Sequence, residues 1–199
     1  MYNGDCKSQN VGFEGFIKRM KTYIELKVPI NFGEIWFKKL RDNFSTLPIK
    51  WQEGYYHITI AFVDDTPIDV DITPILEKLL NFQRPVVFTF DNIDVFDTKS
   101  GMFIVHLGVK DVPSSFTSLV NTIRCELKNV GCIIRSDFKL HVTLGRLIAP
   151  QIQLVKVQEM AHSFFLPSFT LTLSDIDYRV FRGSVLYETK LTFLPGNGA

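Results

Sequence analysis

Runs of alternating apolar and polar residues, separated by stretches with helical spacing, follow one another in nearly the same order in each half of the chain. A strand turns successive side chains to opposite faces, whereas a helix gathers residues three and four apart on one side. Tyr23, Glu25 and Lys27 alternate with Ile24, Leu26 and Val28 ahead of Pro29, which predicts a first strand. Phe32, Ile35, Trp36, Leu40 and Phe44 share a helical face, and residues 55–63 read as a second strand. Asp64, Asp65, Thr66 and Pro67 have the composition of a turn. Thr73 is placed to cap a helix entered at Pro74, or the helix begins a little earlier, with Ile75, Leu76, Leu79 and Leu80 inward. Residues 86–96 and 102–109 then read as two strands joined by a loop of hairpin length ending at Gly101.

The second half runs in the same way. Phe116, Leu119, Val120, Ile123 and Leu127 mark a helix opened by Ser114 or Ser115 and ended by Gly131. Ile133 and Ile134 are apolar but form only a short run; residues 140–147 read as a strand, and residues 150–163 as a helix. Residues 169–181, with a break at Asp175, and residues 185–193 are predicted as closing strands that turn at Arg182, Gly183 and Ser184. The succession predicts an α+β or mixed α/β fold built from two similar lobes. Residues 1–19 read as an N-terminal extension, 20–194 as the bilobal domain and 195–199 as a tail.

One short pattern occurs in both halves. His57-Ile58-Thr59-Ile60 and His141-Val142-Thr143-Leu144 each place an imidazole and a hydroxyl on one strand face and an apolar pair on the other. A single strand histidine is ordinarily a satisfied interior residue, and threonine favours strands in any case. Two copies in corresponding elements point instead to acid–base work on a phosphate. His106 and His162 read as structural or exposed, and Tyr56 and Tyr187 as core aromatics, although either ring could stack on a base. Strict alternation would turn Arg146 away from His141, so a role for it at a phosphate requires a bulge or a strand end.

Composition narrows the partners. Hydrophobic residues make up 46% of the 199, Phe alone numbering 18, which is ample for a packed core. With 22 Lys and Arg against 21 Asp and Glu, no global field attracts nucleic acid, so an anion must be held by a local pocket. Cys6, Cys125 and Cys132 are odd in number and read as free thiols of a cytoplasmic protein. Their spacing lacks a histidine partner for zinc, and two histidines without a third nearby ligand make a poor metal site. No apolar run approaches the ~20 residues a membrane span needs.

The residues also match a family. Residues 56–62 around the first motif, residues 85–96, residues 103–109, residues 140–146 and the last strand with Tyr187 resemble the 2H phosphoesterase superfamily, in particular its LigT-like branch of 2′-5′ RNA ligases and RNA 2′,3′-cyclic phosphodiesterases. The resemblance covers about residues 20–194. It implies an α+β fold of two pseudo-symmetric lobes of antiparallel sheet flanked by helices, with a central cleft in which both histidines face one phosphate, His57 as proton donor, His141 as proton acceptor, and Thr59 and Thr143 binding substrate. It implies an RNA end or small nucleotide as substrate, no cofactor, no metal and a monomer with no membrane attachment. A symmetric site leaves the donor and acceptor interchangeable on the sequence alone. A non-catalytic module that binds nucleotide or RNA is the alternative, and joining of RNA ends would be the reverse reaction of the same site.

Overall fold

The computed structural model describes residues 21–67, 70–80, 84–98, 100–135, 138–148, 152–182 and 185–192, with side chains as far as Tyr178. The proposed extension and tail, Cys6, the Gly183–Ser184 turn and the Tyr187 side chain lie outside that description.

Ten strands form one sheet: β1 (Lys21–Val28), β2 (Ile49–Trp51), β3 (Tyr56–Asp65), β4 (Val86–Asp97), β5 (Phe103–Val109), β6 (Ile133–Ile134), β7 (Val142–Leu147), β8 (Phe169–Leu173), β9 (Asp175–Arg182) and β10 (Val185–Thr192). Among the described residues four helices accompany them: α1 (Ile35–Asn43), α2 (Thr73–Leu80), α3 (Ser114–Asn129) and α4 (Leu154–His162). The strand order is β10-β9-β1-β3-β7-β5-β4-β8, with β2 paired to β7 and β6 to β3. Every pairing is antiparallel. The α+β class and its two related halves are as expected, and the halves share a single sheet, meeting where β3 adjoins β7.

Ile58, Ile60 and Val63 of β3, with Val142, Leu144 and Leu147 of β7, are fully buried on the apolar face. Phe37 and Leu40 of α1, Leu76 and Leu80 of α2, Phe116, Val120, Ile123 and Leu127 of α3, and Val157 and Ala161 of α4 complete one continuous core. Each large aliphatic or aromatic side chain buried in this way contributes about 1.5–3 kcal/mol.

Local chemistry explains where elements depart from the periodicity. α1 begins at Ile35 and not at Phe32 because Asn31 and Glu34 tie up the preceding turn. The Gly33 N–H donates to Asn31 Oδ1 at 2.8 Å, and the Asn31 N–H to Glu34 Oε1 at 2.9 Å. Asp64 and Asp65 end β3 and do not form a turn: Arg135 Nε holds Asp64 at 3.0 Å, and Asp65 lies opposite Ile133 of β6. β2 has only three residues, too few for a period to show. β7 begins at Val142, so His141 sits immediately before it.

The two motif strands carry matching irregularities. Against β1, Ala61 faces Ile24 and Thr59 faces Glu25, so Ile60 is an extra residue in β3. Against β5, Gly145 faces Val105 and Thr143 faces His106, so Leu144 is the extra residue in β7. Each bulge follows directly after the motif threonine, and in both strands two consecutive residues are buried there.

Gly145 is the tight point of the second bulge. A Cβ added there would lie 2.6 Å from Ile49 Cγ2 and 2.9 Å from Trp51 Cε3, atoms of the strand packed against it. Gly145→Ala should therefore lower stability by about 1–3 kcal/mol, read as a reduced urea midpoint at unchanged slope.

Candidate active site

β3 and β7 touch through one ladder pair, Ile58 opposite Val142. Antiparallel register then sets His57 opposite Thr143 and Thr59 opposite His141. All four side chains lie on the face away from the core, and all are half-buried. His57 and His141 are diagonal neighbours, a relation that sets backbone positions ~7–8 Å apart, within reach of long side chains. The seam thus joins the two His-x-Thr segments that the sequence left 84 residues apart.

His57 lies in acidic surroundings. Its Nε2 is 3.1 Å from Glu25 Oε1, an ion pair when the imidazole is protonated. Glu25 is 4% exposed, and Asp177 of β9, its neighbour in register, is 2% exposed. Tyr55 stacks on the His57 ring at 5.1 Å and donates its hydroxyl proton to Asp177 Oδ2 at 2.9 Å. The ring is therefore gripped from the side and from above, and its Nδ1 is buried.

His141 has the opposite character. Its Nδ1 lies 2.7 Å from the Lys139 carbonyl, which requires an N–H there and leaves the lone pair of the neutral ring on Nε2. Burial holds this imidazole below its usual range. The carbonyl bond opposes that shift, while the charges of Lys139 and Arg146 reinforce it. Phe96 meets the ring edge-on at 5.0 Å, and Lys139 Nζ lies 4.1 Å above the Phe96 ring. His106 packs against His141 at 5.8 Å between ring centres. Burial, aided by His141, pushes His106 down to about 4, so it too is neutral near pH 7. Asp94 lies between His106 Nε2, at 3.9 Å, and His162 Nε2 of α4, at 3.1 Å.

His106 was read as structural or exposed; it is buried and lies beside the second motif. His162 is exposed, as that reading allowed, and touches the site only through Asp94. Arg146 returns to the histidine face because the Leu144 bulge resets the alternation, and its Nη1 donates to Gln52 Oε1 at 2.8 Å. Tyr56 is a core residue, as expected, with its hydroxyl on the Gln52 carbonyl. Glu25, Tyr55 and Asp177 give no sequence signal: Glu25 is one of the polar alternates of the first predicted strand. Among the described residues, Cys125 and Cys132 are free cysteines, and no helix is long and apolar enough to cross a membrane.

Comparison with known proteins identifies the family. The family described as the 2′-5′ RNA ligase superfamily matches residues 37–183, most of the chain. The chain belongs to that superfamily, and its resemblance to the LigT-like 2H phosphoesterases holds. The RNA 2′,3′-cyclic phosphodiesterase of Archaeoglobus fulgidus is 31% identical over 93 residues, 46% of this chain and 51% of that protein. The chain therefore spans about half the length of this relative. Usb1 of Kluyveromyces marxianus, solved with uridine monophosphate, superimposes with a TM-score of 0.56 at 9% identity, covering 87% of this chain and 99% of its own. LigT of E. coli in its apo form gives 0.50 at 16% identity, covering 88% and 96%. At these identities the solved structures share the fold.

The neutral His106 ties stability to pH. An imidazole titrates near ~6.5 in an unfolded chain and at about 4 here, so between those values the unfolded state binds more protons. Stability should be full above ~6.5 and fall by up to about 3 kcal/mol as pH drops through that window. Urea unfolding at pH 7 and pH 4.5 should show the loss. His106→Leu should make the difference between the two pH values smaller, leaving the part due to His141.

Proposed function

We propose that the protein is a metal-independent phosphodiesterase that hydrolyses a 2′,3′-cyclic phosphate or a 2′-5′ phosphodiester bond in an RNA end or small nucleotide. One observation carries the reading: the two His-x-Thr segments flank the Ile58–Val142 pair on a single face of the sheet. Water attacks phosphorus and gives a proton to His141 Nε2. The bond to the leaving oxygen breaks, and that oxygen takes the Nε2 proton of His57. Thr59 and Thr143 donate to the non-bridging oxygens, where fixed donors act most strongly as charge builds up. The Lys139 carbonyl supports the base role of His141 because it selects the tautomer with a free lone pair on Nε2. The Glu25 carboxylate supports the acid role of His57 because it favours the protonated ring. Arg146 stands on the same face as a cation for the phosphate. The name of the Archaeoglobus relative and the nucleotide bound to the Kluyveromyces protein agree with this substrate class.

A second reading, a module that binds nucleotide or RNA without turning it over, has one observation in its favour. His57 Nε2 is engaged by Glu25 in the free protein, so a leaving oxygen must displace the carboxylate to reach the proton. Hydrolysis of 2′,3′-cyclic and 2′-5′-linked nucleotides, with and without chelator, separates the two. Turnover should survive chelator, and His57→Ala and His141→Ala should each lower kcat by about 10²–10⁴-fold. Tight phosphate-dependent binding with no turnover of any such substrate would decide for the module, and loss of activity with chelator would refute metal independence.

A further inference from the structure

The two halves of the seam are alike in backbone and unlike in the residue that faces each motif threonine from the outer strand. Glu25 of β1 faces Thr59, and His106 of β5 faces Thr143. Both stand next to a bulge, and both are 4% exposed. One strand further out the likeness returns, with Asp177 facing Glu25 and Asp94 facing His106. A carboxylate on one side of the cleft thus has an imidazole as its counterpart on the other.

We propose that this difference gives the site its polarity: Glu25 is a positioning residue that holds His57 as the imidazolium, and His106 occupies the matching place beside His141 without offering it a carboxylate. His57 then enters each turnover as the acid and His141 as the base. The inference rests on the hydrolytic reading above, yet it concerns charges that the free protein carries before any substrate binds.

The surroundings of each ring agree with it. Around His57 stand Glu25 of β1, Asp177 of β9 through Tyr55, and Thr143 across the seam on β7. Lys27 is exposed and opposite His57 in register, and Arg179 and Lys190 hold backbone positions next to Asp177, on β9 and β10. The Glu25 carboxylate, buried and 3.1 Å from the ring, favours a cation at His57. Around His141 stand His106 of β5, Lys139 of the preceding loop, Arg146 of β7 and Thr59 of β3. Asp94 of β4 lies behind His106 and is bonded to His162 of α4. Among the described residues His141 makes no ion pair with a carboxylate.

The experiment is an NMR titration of the imidazoles in the full chain, run beside the pH profile of kcat/KM on a 2′,3′-cyclic nucleotide. His57 should titrate above His141. Glu25→Gln should lower the His57 midpoint by about one unit while leaving His141 in place, and Glu25→Asp should restore most of it. His106→Glu should raise the His141 midpoint; if that variant fails to fold, Glu25→Gln decides alone. In turnover, Glu25→Gln should move the alkaline limb down by the same amount with little change in KM. A merely structural Glu25 would lower stability or rate and leave that limb where it was. Coincident midpoints in the wild type, or a His57 midpoint unmoved in Glu25→Gln, would overturn the proposal. Should the wild type turn over no phosphodiester, split midpoints that collapse in Glu25→Gln would still uphold the polarity, and the hydrolytic reading alone would fall.

Discussion

Everything that distinguishes this chain depends on how little backbone joins its two halves. β3 and β7 share one ladder pair, and beyond it each turns to a short strand, β3 to β6 and β7 to β2. A single pair holds the motif segments in contact and lets the strands part on either side. The halves stay together because Ile58 and Val142 point down into a core shared by all four helices. Apolar packing beneath the sheet therefore sets the geometry of the polar face above it.

A nearly twofold backbone creates a chemical problem. Two equivalent histidines would titrate together, whereas acid–base catalysis needs one charged and one neutral. The shared bulge does not make that distinction. On the proposed mechanism it falls to groups outside the motifs: a carboxylate and a stacked tyrosine around His57, and a backbone carbonyl, a second imidazole and two cations around His141. Burial strengthens both effects, because Glu25 and His106 are screened from water that would otherwise weaken their influence.

Much of the fold was legible in the sequence because strands and helices here are patterned by burial. The alternation in β1, β4 and β7 and the helical spacing of α3 follow the core directly. The motif residues were legible because histidine and threonine recur at the same spacing. The site's outer residues were not, and the reason is geometric. Glu25, Asp177 and His106 reach the motif residues through cross-strand register, which is a property of pairing and not of any one segment. A buried glutamate reads as an ordinary polar alternate until its neighbours are known. Arg146 was misplaced by strict alternation for a related reason, since nothing in Leu144 or Gly145 announces an extra residue.

The bulges have a consequence for how such strands can change over time. An extra residue at Ile60 or Leu144 sits on the buried side beside its neighbour, so the parity of everything downstream is that of a strand one residue shorter. Losing that residue would straighten the strand yet leave Phe62 or Arg146 looking in its present direction. The position just after each threonine is therefore where the chain can gain or drop a residue without exchanging the inside and outside of the cleft wall. Two proteins with the same wall can differ there by one in their count.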